Sequence, residues 1–184
     1  MKEKSHNTQM GNDNIKVPEG WKRVRLREVI EEVDDKNIAK HNLPVLTSSR
    51  RGIFAQEEYF NRLVASSDLS NYKIIKKGEF TYRSMSDDQT FVFNMLEDFD
   101  IGLVSPAYHV FKTKPLCDNV FFKYFVNASN DIKLQIYKII QGSTRTALKF
   151  NQILEFVCSL PPLPEQQKIA EILETVDRAI EKTD

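Results

Sequence analysis

The chain has 184 residues, a length for one domain, and its 41% hydrophobic content with 12 Phe is enough apolar material for one real core. Its 26 Lys plus Arg balance 26 Asp plus Glu, which excludes a uniformly basic nucleic-acid coat, so any nucleic-acid face requires the two signs to be segregated. Met1 to Asn14 is almost entirely polar and holds no apolar run suited to a signal peptide or membrane span, so the reading is a cytoplasmic protein with a flexible polar tail over 1–16.

Trp21 and Val24 lead into Leu26, Val29, Ile30 and Val33, whose spacing predicts a short amphipathic helix at the domain edge. Leu43 to Leu46 reads as a strand, followed by Thr47-Ser48-Ser49-Arg50-Arg51-Gly52 as a surface loop. Hydroxyls and guanidinium groups in an exposed loop suit DNA, because Arg can engage guanine through two hydrogen bonds and Ser or Thr can hold phosphate oxygens. Tyr72 to Ile75 and Phe80 to Arg83 read as strands joined by a hairpin-like turn, Lys76-Lys77-Gly78-Glu79. The polar run Ser84 to Thr90 is the second candidate reading loop, with Gln89 suited to adenine and Arg83 to guanine or phosphate. Asp87 and Asp88 beside it argue against that role.

Phe91 to Phe93, Gly102 to Val104 and Tyr108 to Phe111 read as apolar strands, and Asn119 to Asn127 and Ile132 to Ile140 as helices. Gly142-Ser143-Thr144-Arg145 then breaks the second helix and can offer N–H groups, hydroxyls and one charge to a phosphate. Asn151 to Phe156 is a short helix and Val157 to Leu160 a strand. Leu160-Pro161-Pro162-Leu163-Pro164 holds the chain extended, and Pro164 has the fixed φ of a first helical turn. The helix that follows carries Ile169, Ile172, Leu173, Val176 and Ile180 at three-and-four spacing, a stripe suited to coiled-coil pairing.

Enzyme signatures are missing from the pattern: no glycine-rich strand-to-helix loop, no nucleophile elbow and no His/Cys cluster with metal-ligand spacing. The chain is therefore read as non-catalytic, with no cofactor and no metal. Cys117 and Cys158 are read as reduced and structural, and His109, inside an apolar strand, as a structural histidine.

The run from Pro162 to Leu173, Pro-Leu-Pro-Glu-Gln-Gln-Lys-Ile-Ala-Glu-Ile-Leu, resembles the proximal conserved-region motif of the specificity (S) subunits of type I restriction-modification systems. Gly142 to Arg145 is similar to that family's glycine-serine-threonine loop, and Val17 to Trp21 to its opening. Tyr72 to Phe80 and Ser105 to Phe111 are similar to segments of its target-recognition domain. The order of these motifs covers about residues 17 to 182.

The resemblance implies an α/β architecture: one target-recognition domain of mixed, strand-rich sheet with short helices over 17–160, then a conserved-region helix over 161–184 for spacing, dimerisation and partner docking. It implies sequence-specific reading of one half of an interrupted double-stranded DNA site, with catalysis left to separate modification and restriction subunits. A family subunit usually holds two such domains, so this chain reads as a half subunit or a fragment. A possible homodimer through the helix follows from that. The competing reading is a protein-interaction module, or an inactive fragment, that pairs through its helix without specific DNA binding.

Overall fold

The computed structural model describes residues 17–60, 68–86, 88–141 and 146–182. The early elements are β1 (Lys22–Arg25), a 3-10 turn (Leu26–Glu28), β2 (Ile30–Val33), β3 (Leu46–Ser49), β4 (Gly52–Ala55) and α1 (Gln56–Phe60). Next come β5 (Lys73–Lys76), β6 (Phe80–Arg83), β7 (Met85–Ser86), β8 (Asn94–Met95), β9 (Ile101–Val104) and β10 (Tyr108–Thr113). The last are α2 (Asn119–Ala128), α3 (Asn130–Ile140), β11 (Thr146–Ala147), α4 (Phe150–Ile153), β12 (Val157–Leu160) and α5 (Leu163–Glu181). The predicted tail over 1–16 lies outside the described residues.

A four-stranded antiparallel sheet, ordered β2-β10-β6-β8, forms the centre. Its inward side chains are aromatic: Phe80 and Phe111 stack at 5.3 Å, and Phe122 from α2 meets Phe80 edge-on at 5.4 Å. Such pairs add about 0.5–1.5 kcal/mol each beyond the area they bury. The two helices covering this core start at side-chain caps, where the Asp118 carboxylate accepts from Phe121 N at 2.8 Å and the Ser129 hydroxyl from Ile132 N at 3.4 Å. Around the centre lie two-stranded ladders, β1-β12, β3-β4, β5-β9 and β7-β11. Gly102 in β9 is needed for close approach, since a Cβ there would stand 2.3 Å from Leu46 Cδ1 and 3.1 Å from Pro44 O.

Three local expectations are corrected. Residues 26–33 are not an amphipathic helix: one 3-10 turn separates two strands, and β2 pairs with β10, Val33 opposite Val110 and Ile30 opposite Thr113. The turn puts Leu26, Val29 and Ile30 into the same core, which reproduces helical spacing without a helix. Second, β5 and β6 are not a hairpin. The turn at Lys76–Glu79, with Gly78 at φ +83° and Glu79 N donating to Lys76 O at 2.9 Å, passes the chain from the β5-β9 ladder to the central sheet. Third, Thr47, Ser48 and Ser49 belong to β3, so the exposed loop shrinks to Arg50 and Arg51.

The proline-rich exit from β12 leads into the 19-residue α5, as expected, with Pro162 at its N-cap. Its root is fixed by Gln166, 1% exposed. The Gln166 Oε1 accepts from Asp118 N at 2.9 Å, while Nε2 donates to Pro161 O at 2.9 Å and to Leu116 O at 3.3 Å. One amide thereby joins the strand exit, the cap of α2 and the new helix. Further along, Tyr124 of α2 donates its hydroxyl to Asp177 at 2.6 Å, and near the start Trp21 Nε1 donates to Glu165 at 3.1 Å.

Candidate nucleic-acid interface

Two segments converge on one cleft. The β3-β4 hairpin carries Arg50 and Arg51 at its turn, and the exit of β6 carries Arg83, Ser84 and then the loop to Gln89. Ser49, Arg50, Arg51, Arg83, Ser84 and Tyr108 share the lining of an open cleft of about 910 Å³. A smaller lobe of about 290 Å³ runs between Arg50, Arg83, Asp88 and Thr90. The sequence named both loops; the structure brings them face to face.

The hairpin is held from beneath. Asn94 in β8 donates its Nδ2 to Ser48 Oγ at 2.8 Å and to Ser49 O at 2.7 Å, so the edge of the central sheet grips the strand before the turn. Ser49 Oγ donates to Gly52 O at 3.2 Å and accepts from Arg51 N at 3.0 Å, closing the turn. Ser48 is 3% exposed. The expectation that it lies in an exposed phosphate-holding loop is corrected: its hydroxyl is buried support. Ser84 is likewise engaged, donating to Ala107 O at 2.7 Å.

Arg50, Arg51, Arg83 and Gln89 are exposed. Arg50 forms an ion pair with Asp88 across the two loops, and the Arg51 guanidinium lies 5.9 Å from both the Phe54 and the Tyr59 ring centroids. Gln89 takes a left-handed backbone, φ +62°. Tyr59, Phe60 and Met85 add exposed apolar surface to the rim. Ser143, Thr144 and Arg145 lie outside the described residues. The strand that follows them, β11, pairs with β7, Thr146 opposite Ser86 and Ala147 opposite Met85, beside the cleft.

Ion pairing explains how a neutral chain segregates its signs. Arg25 and Arg27 both pair with Glu155, Lys73 with Asp34 at 3.4 Å, Lys76 with Asp35 at 3.7 Å, and Lys112 with Glu31 at 3.2 Å. Part of each of these basic runs is therefore paired in place, whereas the Arg83 side chain has no hydrogen bond or ion pair among the described residues. Apart from that of the buried Lys73, these are exposed pairs and contribute little stability, about 0–1 kcal/mol each.

His109 is structural in its surroundings: its ring stacks on Tyr82 at 5.3 Å and on Phe150 at 5.9 Å, and Nδ1 lies 2.8 Å from Glu32. Burial first, and the Glu32 charge second, push the Tyr82 phenol far above its ordinary pKa, so it stays a donor, to Leu148 O at 2.9 Å. Cys117 and Cys158 are buried and free. Among the described residues no group of three or more His, Cys, Asp or Glu side chains is placed to hold a metal ion, and no helix is long and apolar enough to cross a membrane.

The α5 stripe divides. Ile169 packs against the core and Leu173 is half-buried, while Ile172, Val176 and Ile180 are more than half or half exposed at 64%, 50% and 56%. The residues that sequence reasoning missed are supports: Asn94 and Gln166, polar side chains whose partners lie far away in sequence, so no local signal marks them. Asp88 was legible only as a charge near the loop, not as the partner of Arg50.

The fold is thus a strand-rich domain with a cation-lined cleft and one long rooted helix. The family model for the type I restriction modification DNA specificity domain matches residues 18–184, and the chain belongs to that family. Solved structures agree on the fold. The HsdS subunit from Thermoanaerobacter tengcongensis superposes with a TM-score of 0.64 at 19% identity, over 95% of this chain and 46% of its own. A chain from a type I R-M system, solved for its complex assembly and conformational transition, gives 0.58 at 14%, over 94% of this chain and 42% of its own. The S subunit of a type I restriction-modification system from M. genitalium gives 0.52 at 13%, over 95% and 42%. No curated protein matches the chain. The chain spans less than half the length of these solved structures.

Proposed function

We propose that this chain reads one half of an interrupted double-stranded DNA site in the cytoplasm, doing no chemistry itself, on behalf of modification and restriction subunits that dock along α5. The observation that carries the reading is the convergence of the Arg50–Arg51 turn and the Arg83–Gln89 loop on one open cleft. Guanidinium groups over an open cleft offer the bidentate donors that guanine O6 and N7 accept. Ser143, Thr144 and Arg145 complete this reading as phosphate contacts, on the residue types alone.

One domain reads one half-site. The exposed side chains Ile172, Val176 and Ile180 supply a seam for a second helix, and a second copy there gives two-fold symmetry and a palindromic interrupted site. Val176→Asp should dissociate that dimer without disturbing the domain, because Val176 is exposed; light scattering showing a wild-type monomer at tens of micromolar would sink the pairing. Leu173, half-buried, is a poorer probe.

Selection from randomised duplex DNA, with the modification subunit present and at two salt concentrations, tests the reading directly. Recovery of one interrupted motif, with affinity falling steeply as salt rises, is the expected result. The extensive ion pairing of the basic runs favours one competitor, a protein-interaction module without specific DNA binding. Complex formation with no enriched motif at either salt concentration would select it.

A further inference from the structure

The three arginines of the cleft are held in three different ways. Arg51 lies over two aromatic rings, Arg83 projects without a partner among the described residues, and Arg50 is paired with Asp88. Asp88 is itself fixed by its own loop: Oδ1 accepts from Ser86 Oγ at 2.8 Å and from Thr90 N at 3.2 Å, and Thr90 N also donates to Ser86 Oγ at 3.0 Å. Its other oxygen, Oδ2, takes Arg50 Nη2 from the opposite hairpin. A carboxylate anchored on one loop thus orients the guanidinium of the other. The Arg50 side chain is still 67% exposed, leaving N–H donors free to meet a ligand.

We propose that Asp88 is a positioning residue for base recognition: it fixes Arg50 to read the guanine of a G·C pair and withholds that arginine from the phosphate backbone. The inference rests on the reading of this cleft as the DNA interface. An unpaired cation is drawn to any phosphate, and its binding releases counterions whatever the sequence. A cation already paired with a carboxylate has no net charge to neutralise a phosphate, and an approaching phosphate meets the Asp88 charge. Guanine O6 and N7 are neutral acceptors, so Asp88 does not repel them, and a bidentate contact needs the fixed orientation that the pair supplies. Arg51 and Arg83 then carry the sequence-independent attraction.

Asp88→Asn separates these effects because asparagine retains the Oδ1 acceptor for Ser86 and Thr90 while the charged acceptor facing Arg50 becomes an uncharged amide donor, which frees Arg50. In the full chain with its modification subunit, fluorescence anisotropy against random-sequence duplex should show tighter binding. The slope of log K against log salt should steepen by about 0.9, the share of one added phosphate contact. On the selected motif, preference for G·C at one position should fall roughly 5- to 150-fold, the range of one bidentate pair. Arg50→Ala should erase preference at that same position and leave the slope unchanged. Ser86→Ala, which loosens Asp88 while retaining its charge, should weaken the preference without steepening the slope.

Three results would overturn the proposal. One is an Asp88→Asn protein with unchanged preference and slope; another is uniform weakening on all sequences. The third is an Arg50→Ala protein that loses slope and retains base preference. A wild-type protein that binds no DNA in a salt-dependent way fails at the earlier reading instead, and takes this inference with it.

Discussion

The root of α5 and the cleft are both polar, and they are wired in opposite ways. At the root, Gln166 is 1% exposed, and both ends of its amide have partners, on Asp118, Pro161 and Leu116. In the cleft, half-buried Asn94 donates to the buried Ser48 hydroxyl, while Arg50, Arg51 and Arg83 stay exposed above them. The root spends all its hydrogen-bonding capacity on architecture. The cleft confines that use to a lower layer and leaves guanidinium donors over. Saturation therefore separates the joint from the proposed recognition surface more clearly than polarity does.

The root gives the largest expected effect. Gln166→Ala strands the half-buried Asp118 N–H and the buried Pro161 carbonyl at the junction of three elements, and a fully buried group left so costs about 1–3 kcal/mol. Urea denaturation should show a loss of roughly 3 kcal/mol or more; a loss under about 1 kcal/mol would mean that water replaces the amide and the root is not a sealed joint. Its effect on DNA preference should be small where the protein remains folded.

Alkaline pH tests the sealing from a second side. Cys117, next to the Asp118 cap, and Cys158, on the strand that leads into the root, are both pushed up to about 12 from an ordinary 9.0. Burial is the main cause for each, followed by the Cys158 charge for Cys117 and by the Asp131 charge for Cys158. Because the folded state holds its thiol protons longer than the unfolded one, the stabilisation is whole below about pH 9 and is lost as pH rises toward 12. The slope approaches about 1.4 kcal/mol per pH unit for each thiol. Urea midpoints at about pH 8 and pH 10.5 should differ accordingly, and Cys158→Ala should flatten the difference. Equal midpoints would show that the thiols ionise freely in the folded protein.

Local periodicity carried much of the fold. The spacings of Val120, Phe121, Ile132, Ile136 and Ile169 gave α2, α3 and α5 close to their observed bounds, and the prolines gave the start of α5. What failed was pairing at a distance. Leu26, Val29 and Ile30 satisfy helical spacing because a strand, a 3-10 turn and a strand happen to point them into one core. Lys22 pairs with Leu160 and Val33 with Val110, partners that no window along the chain contains. The single stripe expected on α5 became two faces because Ile169 and Leu173 lie toward the domain while Ile172, Val176 and Ile180 lie away from it. The cleft was half legible. Composition picked out Arg50 and Arg83, yet their convergence, and the use of Asp88 as a partner rather than an obstacle, belong to the tertiary fold.

Asn94→Ala has the smallest expected cost in stability and bears most directly on the contrast between joint and surface. Asn94 is only half-buried, and the Ser48 hydroxyl it leaves behind can rotate, so a loss of about 1 kcal/mol is expected by urea denaturation. Its two bonds are nevertheless the direct polar link between β8 and the strand that carries Arg50 and Arg51. A turn freed by even an ångström misplaces a bidentate contact, whose geometry is exacting, and leaves a phosphate contact nearly intact. Base preference in the selected motif should therefore fall further than affinity for random duplex. If both fall together in proportion to the lost stability, the grip of Asn94 is architecture like that of Gln166, and the division of the cleft into a supporting and a reading layer does not hold.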